Sequence, residues 1–221
     1  MSDLRRKILD ASIDMVAEHG VRSVSFREVA RRAGVSHQAP YHHFGNYEGI
    51  LRAVAQEGFA ALASAMNEAA EKAGSDTLRS LNAAGIAYVL FARDHLGHFR
   101  VMFQRTLVDV RSEHAPMEEA ERTHGTLMRL ATAAVDSGYG AGLPPEMVAH
   151  VSWSVVHGFA TLMVEGILAN KMMVGPDQEE HLTRQVVESM SHLLDPKGRS
   201  PKKQSKKSRR KAPRSSTAKD R

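Results

Sequence analysis

Hydrophobic residues recur along most of the chain with the spacing of one face of an α-helix. Leu9, Ile13, Val16 and Ala17 fall at i, i+4, i+7 and i+8, which predicts an amphipathic helix over residues 4–19. After Asn46 the same spacing predicts a long helix that ends before Gly74, with an apolar face formed by Leu51, Val54, Ala55, Gly58, Phe59, Leu62 and Met66. Further helical patterns cover about 76–96, 98–108, 117–137, 146–169 and 177–194.

Turn-forming segments separate these patterns. Residues 109–116 are charged and end in Pro116, residues 138–145 read GYGAGLPP, and Gly175-Pro176 divides the last two helices. The chain has no alternating apolar and polar run long enough for a strand. The pattern therefore predicts an all-α protein of about nine helices.

Two short helices near the N-terminus are joined by a very tight turn. Ser25-Phe-Arg-Glu28 has the form of a capping box, so a helix is expected to begin there and to end at Gly34. Ser36 is a good N-cap for a third helix that ends near Phe44. Helices joined by so short a glycine-containing turn must cross steeply, which predicts a helix-turn-helix unit.

Charge is distributed unevenly over the 221 residues, whose formal net charge is +5. Residues 196–221 contain 12 Lys or Arg, one Asp and no large apolar residue, so this tail alone carries +11 and the rest sums to −6. A segment of this composition cannot bury enough surface to offset the entropy of ordering, and we expect it to be disordered and to bind a polyanion.

Composition also excludes several classes of function. The absence of Cys excludes disulfides, Cys-ligated metals and thiol catalysis. The 12 His residues include no i, i+4 pair beside a carboxylate, so we expect neither a metal site nor a cofactor. No G-x-S-x-G nucleophile context accompanies the Ser and His residues, so an enzyme is not expected. With no apolar signal segment or spanning helix in the sequence, we expect a cytoplasmic protein without a membrane partner.

The segment from Phe26 to Phe44 reads FREVARRAGVSHQAPYHHF, and together with the flanking VS and GNYEGIL it resembles the DNA-binding domain of the tetracycline-repressor family of transcriptional regulators. Further on, Trp153-Ser-Val-Val-His157-Gly158 is similar to the Trp…His-Gly signature of one subgroup of C-terminal domains in that family. The resemblance implies a helix-turn-helix domain at 1–50, a helical ligand-binding and dimerisation domain at 51–195, and the tail at 196–221.

Within this resemblance, ten residues are candidates for DNA contact. His37, Gln38 and His42 suit base edges, since Gln pairs bidentately with adenine and His offers one donor or acceptor. Ala39 is short enough to let the helix approach and touch a thymine methyl group. Tyr47 stands where the family commonly has Lys, which implies a smaller electrostatic contribution to DNA binding. The other candidates cap helices or contact phosphates: Ser25, Arg27, Ser36, Tyr41 and His43.

Bulky apolar residues of the helices between 76 and 170 are the candidates for an effector pocket, although core packing is the competing interpretation for each of them. Met adapts its shape, and Trp, Tyr and His carry polar tips that can orient a mostly apolar ligand. The set is Tyr88, Phe91, Phe99, Met102, Phe103, Trp153, His157, Phe159 and Met163.

The last two helices are expected to form a twofold dimer interface, because two copies of a helix pair make a self-complementary four-helix bundle. Small residues permit close approach of the helices, and Leu, Val and Met supply apolar area. The candidates are Gly158, Leu162, Val186, Met190, Leu193 and Leu194.

These features predict a homodimeric repressor that binds a pseudo-palindromic operator and is released by a small apolar effector. One alternative is an architectural, nucleoid-type DNA-binding protein dominated by its basic tail. A second alternative is an enzyme that uses the cavity of the helical domain.

Overall fold

The computed structural model describes residues 3–104, 118–140, 142–172 and 175–194. Within these ranges the chain forms ten α-helices and one short 3-10 helix, without a β-strand, so the all-α prediction is confirmed. The predicted disordered tail and the charged break at 109–116 lie outside the described residues.

The helices in chain order are α1 (Asp3–His19), α2 (Phe26–Ala33), α3 (Ala39–Phe44), α4 (Tyr47–Lys72), α5 (Thr77–Asp94), α6 (Leu96–Met102), α7 (Glu118–Asp136), α8 (Pro145–Val164), α9 (Ile167–Met172) and α10 (Pro176–Leu194). The 3-10 helix, Val21–Ser23, lies between α1 and α2.

The first three helices form a small N-terminal unit, in which α2 and α3 pack against α1. The buried face of α1 is formed by Ile8, Leu9, Ser12, Met15 and Val16, so it is rotated from the predicted face, of which Ile13 and Ala17 are only half-buried. The unit closes because residues of α2 and α3 pack into the same core as α1. The predicted helix exists, but which side of it is inside was decided by its neighbours.

The long helix α4 connects this unit to the rest of the molecule. All seven apolar residues predicted on its buried face are buried. It packs against α1 and α3 of the N-terminal unit and also against α5, α6 and α7. The predicted domain boundary at residues 50 and 51 therefore falls inside one continuous helix.

The C-terminal helices differ from the prediction at two breaks. Residues predicted as one helix over 146–169 form α8 and α9, because Gly166 adopts φ +69°, a left-handed conformation that ends a helix. The helix predicted at 98–108 begins earlier, at Leu96, and ends at Met102. Helices α5, α7, α8 and α10 pack around the second part of the core.

Candidate functional site

The turn between α2 and α3 has the geometry that its sequence predicts. Gly34 adopts φ +65°, and the Val35 N–H donates to the Ala30 carbonyl (3.0 Å), as in a Schellman motif. The Ser25 hydroxyl accepts a hydrogen bond from the Glu28 N–H (3.3 Å), which confirms Ser25 as the cap of α2. The two helices are thus held in the predicted helix-turn-helix arrangement.

The start of α3 corrects the prediction for Ser36, which does not cap a helix. Its carbonyl instead accepts a turn hydrogen bond from the Ala39 N–H (3.0 Å), and α3 begins at Ala39 with Gln38 before it. The late start places Pro40 in the first turn of α3, where its missing N–H costs no intrahelical hydrogen bond. The residues from Ser36 to Gln38 therefore form an exposed turn at the helix N-terminus.

Most of the residues predicted to contact DNA are exposed. The structure exposes Ser25, Arg27, Ser36, His37, Gln38, Tyr41 and His42, and leaves His43 half-buried. The Tyr41 ring packs edge-on against Phe26, with ring centroids 4.4 Å apart, and its side chain is 56% exposed. This contact supports the Tyr41 ring while more than half of the side chain stays exposed.

Two members of the predicted DNA-binding set make contacts inside the domain, although Tyr47 is also 37% exposed. Ala39 is 7% exposed and packs in the core, so its methyl group is not available to a base. The Tyr47 hydroxyl donates to the Val21 carbonyl (2.8 Å), so its proton is already used inside the domain. Tyr47 instead fixes the start of α4 to the 3-10 helix.

The three arginines of α2 are in different electrostatic situations. Glu28 accepts hydrogen bonds from Arg31 and Arg32, and the Arg31 interaction is the main reason why the pKa of Glu28 is lowered to about 2. Arg32 also bonds Glu18 of α1 (2.8 Å). Arg27 is exposed and has no carboxylate partner among the described residues, which leaves its charge free for a phosphate.

A cavity of about 240 Å³ lies in the helical domain among α4, α5, α7 and α8. Three of the predicted pocket residues, Tyr88, Phe103 and Trp153, line it. The remainder of the wall is largely aliphatic or aromatic, contributed by Phe59, Leu62, Met66, Leu81, Ala84, Gly85, Ala120, Thr123, His124, Leu127, Ser152, Val156 and Met190.

The His of the sequence signature is hydrogen-bonded to Tyr88 of α5, and the Trp lies beside that His. The Tyr88 hydroxyl lies 2.8 Å from His157 Nδ1, and the ring centroids of Trp153 and His157 are 6.2 Å apart. Burial raises the pKa of Tyr88 and lowers the pKa of His157, so both side chains are neutral at pH 7. The group is a neutral polar chain at one wall of an apolar cavity.

Other predicted pocket residues lie elsewhere. Phe91 and Met102 are buried in the core, while Phe159 and Met163 line a separate small void, so these four do not form the cavity wall. Phe99 and His157 line a second, more open cavity next to the N-terminal unit, and Phe103 lines both.

Sequence reasoning missed the contributions of α4 and α7 to the cavity. Periodicity does not distinguish a residue that lines a cavity from one that fills the core. A signal existed only for Ser152, which lies midway between Val148 and Val156 at i, i+4 spacing, on a stripe that is otherwise apolar.

Helix α6 connects the cavity region to the N-terminal unit. The Arg100 guanidinium donates to the Ala17 carbonyl at the end of α1 (2.9 Å) and lies 3.4 Å from the carboxylate of Glu165, at the end of α8. Glu57 of α4 bonds both Arg6 of α1 and His98 of α6. These two groups of bonds tie α1, α4, α6 and α8 together between the two parts of the molecule.

One face of α8 and α10 presents apolar and small residues to solvent. Gly158 is exposed with open space around it, Leu162 is 41% exposed and Leu193 is 81% exposed. Met190, predicted at the dimer interface, instead is buried and lines the cavity, while Val186 and Leu194 are half-buried.

Helix α8 is strongly apolar although much of it is exposed in the single chain. A window of α8 has a mean hydropathy of 1.4, yet only 33% of that window is buried within one chain. Length and composition alone would let such a helix cross a membrane, a property it shares with core helices, and here it packs on α5, α7, α9 and α10.

Two family models match the chain over most of these elements. The family described as "Bacterial regulatory proteins, tetR family" matches residues 8–54, and "Tetracyclin repressor-like, C-terminal domain" matches residues 81–189. The first match contains the helix-turn-helix and the second contains Trp153, His157 and Gly158. The chain belongs to the tetR family of bacterial regulatory proteins, as the sequence resemblance predicted.

A curated relative agrees with this assignment over part of its length. The HTH-type transcriptional repressor AcnR from Corynebacterium glutamicum is 34% identical over 64 residues, which are 29% of this chain and 34% of AcnR. The match thus spans about a third of the length of that relative.

Two solved structures share the fold over most of their length. A protein of unknown function from Rhodococcus sp. RHA1 has a TM-score of 0.73 at 28% identity, covering 88% of this chain and 96% of that one. The transcriptional regulator FadR from Bacillus subtilis, solved in complex with stearoyl-CoA, has a TM-score of 0.63 at 18% identity, covering 84% and 97%. At this identity the FadR likeness shows a common fold.

Proposed function

We propose that this protein is a homodimeric transcriptional repressor that binds a pseudo-palindromic operator and is released by a small, largely apolar effector. The observation that carries the proposal is the combination, in one chain of this family, of an exposed helix-turn-helix surface and an apolar cavity connected to it by α6. We expect the protein in the cytoplasm and on the nucleoid when bound to DNA.

The proposed DNA contacts are of two kinds: some side chains read base edges, and others position the protein by contacting phosphates. The N-terminal end of a recognition helix is the part that meets base edges in the major groove. His37 and Gln38 lie in the exposed turn just before α3, and His42 is exposed within α3. Arg27 and Tyr41 flank them and are assigned to phosphates. This division predicts different consequences for different substitutions.

A second copy of the chain is the proposed partner of the exposed face on α8 and α10. Gly158, Leu162 and Leu193 are the dimer candidates that remain at the surface. A helix pair that meets its own copy buries this apolar face and sets the distance between the two recognition helices.

Release is proposed to run through α6. An effector that binds better to a conformation with mis-spaced recognition helices shifts the population away from the DNA-bound state. Phe103 lies immediately after α6 and lines the cavity, and Arg100 on the same helix bonds the end of α1, so a displaced wall also displaces the DNA-binding unit. The FadR structure, which shares this fold and was solved in complex with stearoyl-CoA, supports the proposal that this protein also binds a ligand.

Selection from a random DNA pool tests the DNA-binding assignment. The full-length protein is expected to enrich a palindrome. Gln38→Ala is expected to lose discrimination at one position of each half-site, by about 10-fold for a single bidentate contact. Arg27→Ala, its matched control, is expected to weaken all sequences alike and to reduce the salt slope by about one. If Gln38→Ala retains the wild-type preference at every position, its assignment to base reading is wrong.

The basic tail is the specific observation that favours the architectural alternative. Ending the chain at Asp195 removes a segment of charge +11, so binding is expected to weaken and the dependence on salt to flatten, with the operator preference intact. Fluorescence anisotropy of operator and unrelated DNA at several salt concentrations measures both effects. An unchanged salt slope would contradict the role of the tail, and the absence of any enriched palindrome in the full chain would favour the architectural protein.

A further inference from the structure

The wall of the cavity contains a hydroxyl group that has no partner. Ser152 is 4% exposed, and its Oγ is the only buried side-chain polar atom without a hydrogen bond among the residues that the structure describes. It lies on α8 and forms part of the cavity wall. A buried polar group without a partner destabilises a protein, so an unpaired hydroxyl here requires an explanation.

Other buried hydroxyls show how such a group is normally satisfied in this fold. Ser12 donates to the Ile8 carbonyl (2.8 Å), and Thr183 donates to the Glu179 carbonyl (2.7 Å), each one helical turn back. The single hydroxyl proton of Thr123, which also lines the cavity, has two carbonyl acceptors within reach, Glu119 (2.8 Å) and Phe59 (3.1 Å). A bond to the carbonyl one turn back is the usual local option for a helical Ser, and the Ser152 hydroxyl does not use it.

The cavity defines the chemical class of a ligand that would satisfy this hydroxyl. Its described lining contains no Lys, Arg, Asp or Glu, so a charged ligand would lose its hydration without gaining a counter-ion. An apolar cavity of 150 Å³ is known to hold benzene, so one of about 240 Å³ accommodates about ten non-hydrogen atoms.

We propose that the cavity binds a neutral, mostly apolar molecule of about ten non-hydrogen atoms that carries one hydrogen-bonding oxygen, and that the Ser152 hydroxyl donates to this oxygen. The inference rests on the proposed function, because it names the class of effector for the same site. Ser152 thereby sets the specificity of the cavity, while the aliphatic and aromatic wall supplies affinity by burying the apolar part of the ligand.

The chain contains a built-in reporter for this binding. Trp153 is the only Trp in the sequence and lines the cavity next to Ser152, so its fluorescence reports occupancy directly. The probes are two matched pairs, 2-nonanone with decane and menthone with p-menthane, together with the anion nonanoate. Each pair compares a ketone with a hydrocarbon of nearly the same size, once as a linear chain and once as a ring.

Titrations of the full-length protein with each probe test the proposal. At least one ketone is expected to bind about 3- to 10-fold more tightly than its hydrocarbon partner, the gain of one net hydrogen bond. Ser152→Ala is expected to abolish this difference and to leave hydrocarbon affinity unchanged. Thr123→Val is the matched control, since it also removes a hydroxyl from the wall, but one that already has partners, and the ketone preference is expected to remain.

The thermal stability of the ligand-free protein provides a second test, in which the two variants are expected to change the Tm in opposite directions. Ser152→Ala removes an unsatisfied polar group and deletes only one oxygen atom from the cavity wall, so the Tm is expected to rise by about 2–4 °C. Thr123→Val removes a hydroxyl that is hydrogen-bonded to backbone carbonyls and is expected to lower the Tm. A purely structural Ser152 would instead give a lower Tm on substitution.

Several results would overturn the inference: a ketone preference that survives Ser152→Ala, nonanoate as the tightest probe, no response of Trp153 fluorescence to any probe, or a lower Tm for Ser152→Ala. Operator binding measured in parallel separates this inference from the proposed function. Loss of operator recognition by the wild-type protein contradicts the function, whereas intact recognition with a failed ketone preference contradicts only the ligand class.

Discussion

Replacement of Gly158 by Arg is expected to dissociate the dimer and to weaken operator binding by about 100-fold or more. Gly158 is exposed on α8, and a Cβ added there would have no atom of another part of the described chain within 4 Å. The single chain therefore accommodates Arg, whereas a twofold interface would bring two unpaired guanidinium groups together inside an apolar contact. Without the dimer, the gain in affinity from binding two half-sites at once is lost.

Sedimentation and anisotropy titration measure the two parts of this prediction. Gly125→Arg provides the control, because Gly125 is also helical, exposed and surrounded by open space, but lies on α7, outside the proposed face. The control adds the same charge and is expected to stay dimeric with operator affinity near that of the wild type. A Gly158→Arg protein that remains dimeric would place the interface on another surface.

Replacement of Gly97 by Val is expected to lower the free energy of unfolding by about 3 kcal/mol, the upper end of the usual cost of overpacking. Gly97 lies in α6 against α1, and a Cβ added there would come within 2.4 Å of the Ile13 carbonyl oxygen. A backbone atom cannot move aside as a flexible side chain can, so α6 must separate from α1. The Tm should fall by about 6–12 °C for a protein of this size.

Thermal and urea unfolding test this prediction against Gly125→Val, which makes the same substitution in open space and is expected to change stability by less than about 0.5 kcal/mol. The Gly97 variant is also expected to respond less to the effector, because α6 bears Arg100 and His98, whose bonds tie the two parts of the molecule together. A Gly97→Val protein as stable as the wild type would show that the contact of α6 with α1 is loose.

The helix-turn-helix was largely predictable because its determinants are local. The cap at Ser25 and the left-handed Gly34 act within a few residues of their own position, and both were correctly anticipated. The start of α3 was not, since Ser36 has the side chain of a good cap, whereas α3 begins at Ala39 and thereby places Pro40 in its first turn.

The roles of Ala39 and Tyr47 depended on neighbours that are distant in sequence. A small residue in a recognition helix can either contact a base or pack in the core. The tertiary structure buries Ala39 in the core. The Tyr47 hydroxyl found the Val21 carbonyl, 26 residues away, which no local pattern indicates. Similarly, Met190 fits the apolar pattern of a dimer helix equally well whether it faces a partner or a cavity.

By itself the sequence determined the all-helical class, the helix-turn-helix and the membership in the tetR family, because periodicity, caps and turn residues act over one or two helical turns. Only the tertiary structure decided which apolar residues surround empty space and which hydroxyl remains unpaired there. A cavity is what four helices leave unfilled between them, so it depends on their relative placement, and the same residues at the same spacing could have closed into a solid core.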